Sequence, residues 1–173
     1  SIPAVITMIY TAPKISALNK LKSLAVGKTF LLAFTWTYVT VILPLWIYAP
    51  QWEKEYTLFF ISRFLLIYLI CLLFDFRDRK DDMEQGLTTL PSRISLKVLR
   101  VVFYSIMAIF FISTLLLVNT GLELSEVMIM LIPGIIVFLI FPICIRNFND
   151  YLYYFILDGL MMLSALMSIV MAF

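Results

Sequence analysis

The sequence predicts an all-α fold, a polytopic transmembrane helix bundle with about five full spans and a partial one at its N-terminus. Three observations carry this expectation. Of 173 residues 63% are hydrophobic and only 14% charged, against about 25% charged in a soluble domain, and the mean hydropathy is +1.03. The apolar residues fall in continuous runs rather than in short alternating strands, which excludes a transmembrane barrel. The Lys and Arg residues gather in every second connection between those runs.

Taken in order, Ser1–Tyr10 is apolar and too short to cross a bilayer, and it lacks the basic start and cleavage pattern of a signal peptide. It reads as the tail of a membrane helix, so the chain is expected to be a C-terminal fragment. Leu24–Ile47, Tyr56–Phe74, Val98–Val118, Val127–Cys144 and Tyr151–Met171 follow, each near the roughly 20 helical residues that a hydrocarbon core requires. Pro44, Pro133 and Pro142 lie in or near spans and predict kinks accommodated by neighbouring helices. With neither a repeat nor a low-complexity tract, residues 1–173 read as a single transmembrane domain.

Placing the first, third and fifth connections in the cytoplasm puts every Lys and Arg there except Lys54 and Arg63, as the positive-inside rule requires. Trp46, Tyr48 and Trp52 read as an aromatic belt at the outer edge, and Tyr151, Tyr153 and Tyr154 as one at the inner edge. A net charge of +2 gives no basic field for nucleic acid. The absence of histidine removes the usual neutral-pH base and the commonest zinc ligand. Cys71 and Cys144 sit alone in apolar runs and read as small buried hydrophobes.

Chemistry concentrates in the segment from Asp75 to Pro91, directly after the second span. Asp75, Asp78 and Asp82 stand at i, i+3 and i+7. On a continuing helix they occupy an arc of about 60°. Carboxylates stacked in this way repel unless a cation joins them, and Mg²⁺ takes hard oxygen ligands while leaving positions for phosphate oxygens. Arg77, Arg79 and Lys80 supply phosphate donors on the same turns. By charge content alone the segment reads rather as an ordinary solvated loop that obeys the orientation rule.

The residue order adds to this. Asp75, Arg77, Asp78, Asp82, Gly86, Thr89, Leu90 and Pro91 give D-x-R-D-x-x-x-D-x-x-x-G-x-x-T-L-P, which resembles the second aspartate-rich motif of the UbiA-type intramembrane prenyltransferases. Tyr10 and Lys14 are similar to that family's Tyr-x-x-x-Lys element, and the spans match the second half of its nine-helix bundle. The resemblance implies Mg²⁺-dependent transfer of a prenyl group from a prenyl diphosphate to an aromatic or lipid acceptor. Asp75, Asp78 and Asp82 would hold the metal, and Tyr10, Lys14 and Arg77 would contact the diphosphate. Quinone precursors, haem, chlorophyllide and glycerol lipids all serve as acceptors in the family. Phe30, Phe34, Trp36 and Tyr38 are candidate walls shielding a carbocation from water. The chain departs from the pattern at Asp81, Met83 and Ile94-Ser95. The family's first motif, N-D-x-x-D-x-x-x-D, does not occur in it, so this fragment alone is expected to be inactive.

Two ionisable residues lie within spans. Asp158 reads either as a functional group at depth or as a near-interface acid bonded to a neighbouring helix through close packing at Gly159. Arg63 is expected to pair with a carboxylate or to snorkel outward. These residues support a competing reading, a transporter or channel fragment with Asp158 and Arg63 along a polar path. A family member that has lost catalysis and serves as a membrane scaffold is the third.

Overall fold

An apolar chain has no water to satisfy its peptide groups and must satisfy them within its own helices. The computed structural model describes residues 27–48, 51–84, 91, 94–146 and 149–171, and among these the regular structure is helical throughout, with no strand. Helix α1 (Gly27–Thr37) runs through a π-helical stretch, Tyr38–Ile42, into α2 (Leu43–Tyr48). Helix α3 is Lys54–Glu84, α4 is Leu96–Leu115 with a 3-10 extension Leu116–Thr120, and α5 is Leu124–Cys144. A second π-helical stretch, Leu152–Leu157, leads into α6 (Asp158–Met171). Four stretches are long and apolar enough to cross a membrane: Thr29–Ile47, Lys54–Arg79, Leu96–Thr120 and Leu124–Cys144. The fifth predicted run is helical too, with a shorter apolar segment at Leu152–Leu163.

The boundaries follow local chemistry. Pro44 has no N–H and its ring crowds the carbonyl four residues back. The chain widens into a π turn just before it, and the N–H of Leu43 reaches the carbonyl of Tyr38, five residues back. Thr35, Thr37 and Thr40 turn their hydroxyls onto the carbonyls of Leu31, Ala33 and Trp36 at 2.7–2.8 Å, which leaves no hydroxyl unsatisfied on an apolar face. Ser95 caps α4, its Oγ accepting from the N–H of Val98 at 3.4 Å. Ser95 therefore has a structural role at the start of α4. Gly121, at φ 103°, ends the 3-10 turn in the left-handed region, and Glu126 then accepts from the N–H of Glu123 at 3.1 Å to open α5.

Helix α3 is the centre of the bundle, packing against α1, α4, α5 and α6. Its stretch from Leu66 to Leu73 is almost wholly buried. The contacts fix the directions. Phe34 meets Phe60 while Thr29 meets Asp75, so α1 and α3 are antiparallel. Ser62 bonds Thr114 at 2.6 Å near the far end of α4. Phe103 stacks on Phe141 at 3.8 Å, and Phe110 packs at Gly134, so α4 and α5 are antiparallel as well. The start of α1, the end of α3, the start of α4 and the end of α5 thus share one end of the bundle. That end collects Arg77, Arg79, Lys97, Arg100 and Arg146 together with the acids Asp75, Asp78, Glu84 and Asp150, whereas the other end has Glu53, Glu55, Glu123 and Glu126 with Lys54 as its one base in a connection. The alternation of connections seen in the sequence is therefore an alternation in space.

The outward faces are apolar, with Trp46, Ile47, Val101 and Leu139 each more than 60% exposed. Such faces suit lipid rather than water. Trp46 and Trp52 are exposed at the end of the bundle away from Arg77, where an aromatic belt was expected. The inner belt requires a correction: Tyr151 is exposed, but Tyr153 is fully buried, its hydroxyl donating to the carbonyl of Cys144 at 2.9 Å. Both cysteines are buried and free, as expected. Arg63 does not snorkel outward. It is buried and donates from Nη2 to the carbonyl of Met130 at 2.9 Å, across the α3–α5 contact.

Helix association in lipid relies on close van der Waals packing, and Gly134 is where it is closest. A Cβ there would overlap the ring of the fully buried Phe110, whereas one at Gly159 meets nothing within 4 Å. Gly134→Ala is expected to cost about 1–3 kcal/mol through overpacking, and Gly159→Ala close to nothing. Thermal unfolding in detergent measures both. Equal melting temperatures for the two variants would contradict the packing at Gly134.

Candidate functional site

The helix that carries the motif outruns the membrane. At 31 residues and about 1.5 Å per residue, α3 exceeds a hydrocarbon core of about 30 Å. Its backbone stays helical from Asp75 through Asp82 to Glu84. The three aspartates therefore share the helical register that the sequence suggested, with Asp82 placed by its backbone and its side chain outside the described set. Tyr10, Lys14 and Gly86 also lie outside the described residues.

Asp75 is buried and accepts a hydrogen bond from the Thr29 hydroxyl of α1. Asp78, one turn on, is held by Arg77: Nε lies 2.6 Å from Oδ1 and Nη2 lies 3.3 Å from Oδ2. This fork fixes both planes. Arg77 also donates from Nη2 to the Tyr154 hydroxyl at 2.9 Å and stands 3.8 Å from Asp150. Its guanidinium carbon sits 5.3, 4.9 and 4.5 Å from the ring centroids of Phe74, Tyr153 and Tyr154. Cation–π contacts of this kind contribute about 0.5–2 kcal/mol each. The Cys144 carbonyl anchors Tyr153 in turn, so a fixed positive charge stands beside the two acids.

Asp75, Arg77 and Asp78 line one cavity of about 280 Å³. Leu32 and Trp36 of α1 and Phe74 of α3 form apolar wall, and Tyr154, Asp158 and Met161 close it from the last helical segment. Of the four aromatic wall candidates, Trp36 lines this cavity, while Phe30, Phe34 and Tyr38 form a ring ladder against α3, with Phe30 and Phe34 meeting Phe64 and Phe60. Asp158, singled out separately in the sequence, faces the same cavity as the motif. The close packing expected at Gly159 is not found among the described residues. Asp158 is exposed, the charge of Arg77 acts on it across the cavity, and the space beside Gly159 is open. Arg63 is not among the residues lining this cavity.

The fold brings in residues that sequence reasoning missed. Thr29 carries no local cue at the lysine-rich start of a span. Tyr154 and Asp158 do carry one, since i and i+4 share a helix face, though the π turn between them alters that register. As for a metal, Mg²⁺ is commonly held by one or two carboxylates together with substrate phosphates, retaining several waters. Asp75 and Asp78 fit that pattern. Among the described residues no group of three acid, Cys or His side chains could form a cage unaided. Comparisons with family models, with curated proteins and with solved structures give no match.

Proposed function

We propose that this chain forms one half of an intramembrane prenyltransferase site of the UbiA type, binding a prenyl diphosphate with Mg²⁺ and passing its prenyl group to a hydrophobic acceptor. One observation supports the reading: Asp75, Arg77 and Asp78 line a single cavity with Tyr154, Asp158 and apolar side chains, at the end of the helix bundle that holds most of its Lys and Arg residues. With a cation bridging the carboxylates, a ligand suited to it has an anionic head and a hydrocarbon tail. In this reading the bundle is the second half of a nine-helix fold. Five segments span the bilayer, and the basic end faces the cytoplasm as the charge bias requires.

Arg77 offers the diphosphate a guanidinium that its aromatic surroundings already hold in place, so little ordering is needed on binding. Asp75 and Asp78, with Asp82 one turn further, would hold the metal, and Thr29 fixes the Asp75 carboxylate. When bound, Mg²⁺ neutralises charge on the departing diphosphate. The allylic C–O bond breaks with its electron pair leaving on the diphosphate, and the acceptor bonds to the allylic carbon and loses a proton. Trp36, Phe74 and Met161 keep water from the reacting carbon. Tyr10 and Lys14 add diphosphate contacts by family resemblance.

The scaffold reading has one observation in its favour: within this chain Thr29 already satisfies Asp75, and Arg77 already satisfies Asp78. Titrating the intact gene product with a non-hydrolysable prenyl diphosphate analogue, with and without chelator, separates the two. Prenyl transfer requires affinity that collapses on chelation, because clustered carboxylates repel a diphosphate without a bridging cation. Equal affinity in both conditions would remove the metal bridge and favour the scaffold.

A further inference from the structure

A second surface at the same end of the bundle takes no part in the cavity. On α4, Lys97, Arg100, Val101 and Tyr104 are all exposed, and they stand within an arc of about 100° around the helix. Tyr104 meets the rings of Phe138 and Phe141 edge-on, at 5.7 and 5.3 Å, so this face of α4 adjoins α5. Phe138 and Pro142 continue the outward face of α5, and Arg146 stands exposed just past its end. Arg100 lies four residues before Tyr104, and Arg146 lies five after Phe141. Because the two helices are antiparallel, both arginines are displaced towards the same end, by about 6–8 Å along the axes. Lys97 stands one turn beyond Arg100.

We infer that this outer face of the α4–α5 pair holds a phospholipid with a net negative headgroup. Its phosphate lies among Lys97, Arg100 and Arg146, and an acyl chain runs along Val101, Tyr104 and Phe138. The site goes beyond the prenyl-transfer reading and does not depend on it.

Charge selects the occupant. Among the described residues none of the three bases has an ion-pair or hydrogen-bond partner. The described acids of this end are turned elsewhere: Asp75 accepts from Thr29 of α1, Asp78 pairs with Arg77, and Asp150 lies 3.8 Å from Arg77. Glu84 stands seven residues after Arg77 and shares its face of α3. Three cations with no local counter-charge favour an anionic headgroup, and basic clusters between membrane helices bind such headgroups. A zwitterionic lipid offers the same phosphate but brings an ammonium group into that field. A second copy of the chain would set three cations against three, which like charge opposes. Just inside the basic rim the surface is apolar and aromatic, as suits an acyl chain, with Tyr104 at the depth where tyrosines gather.

The test is a titration of the intact gene product in detergent, read by native mass spectrometry, with phosphatidylglycerol and with phosphatidylcholine carrying the same acyl chains. The wild type is expected to bind phosphatidylglycerol about tenfold to a hundredfold more tightly. Replacing Lys97, Arg100 and Arg146 together with Gln is expected to bring the preference within threefold. These side chains are exposed, so the core is untouched. Arg100→Lys with Arg146→Lys, which keeps the charges, should retain the preference, as should Lys54→Gln at the other end of the bundle. Equal binding of the two lipids by the wild type would overturn the site, and so would a preference that survives the triple Gln variant. A loss as large in Lys54→Gln would reduce the effect to net charge. A wild-type dimer that excludes phosphatidylglycerol would assign the face to a second copy instead.

Discussion

Replacing Asp78 or Asp82 with Ala in the intact gene product is expected to lower turnover on the order of a thousandfold, whereas Asp81→Ala should cost less than tenfold. The difference comes from helical register. Asp75, Asp78 and Asp82 fall within one arc of α3, whose backbone is helical through all of them, while Asp81 stands about 120° from Asp75 around the axis. Losing a metal ligand removes several kcal/mol of charge stabilisation from the departing diphosphate. Losing an acid that lies off that arc removes little. Steady-state rates at matched expression decide the matter. Similar rates for all three variants would return the segment to a solvated loop. Loss at Asp81 but not at Asp82 would mean that the ligand face is the other one.

Arg77 should be nearly as sensitive, and in a way that distinguishes its fork from its charge. Arg77→Ala is expected to weaken binding of the diphosphate analogue by about a hundredfold, since charge-assisted hydrogen bonds contribute about 1.5–3 kcal/mol. Arg77→Lys should recover only part of this. A lysine keeps the charge but cannot pair both oxygens of Asp78 and lie against three aromatic rings at once. Affinities within twofold of wild type for both variants would show that Arg77 merely staples α3 to the last helical segment. A lysine variant equal to wild type beside a failed alanine variant would reduce its role to a point charge.

Much of this architecture was open to reading because a membrane leaves a chain few choices. Continuous apolar runs must be helices, so the runs beginning near Leu24, Tyr56, Val98 and Val127 each correspond to a long apolar helix. The ends were less legible, since they depend on single contacts. Ser95 extends α4 towards the motif as a cap, and α3 continues ten residues beyond Phe74 because nothing before Glu84 stops it. The motif was visible as a local pattern of acids and bases on one helix. Its surroundings were not. Thr29 lies 46 residues from Asp75 in the chain, and Tyr154 lies 77 from Arg77, and no periodicity links positions so far apart. Tyr153 looked like an interfacial anchor because tyrosines gather at membrane edges. Only the packing of α5 against the last helical segment turns it inward onto the Cys144 carbonyl.

The π turn at Leu152–Leu157 gives the last helix an unusual relation between length and direction. A π turn is an α-helix with one surplus residue looped out, and each residue of an α-helix advances the face by about 100°. Deleting any single residue from that stretch would leave a continuous helix of almost the same reach. Everything beyond it would nevertheless be rotated by more than a quarter of a turn, taking Asp158 from the cavity wall and presenting a different side chain there. In this segment a loss of one codon acts as a change of address rather than a change of size, and the surplus residue is what keeps the carboxylate facing inward.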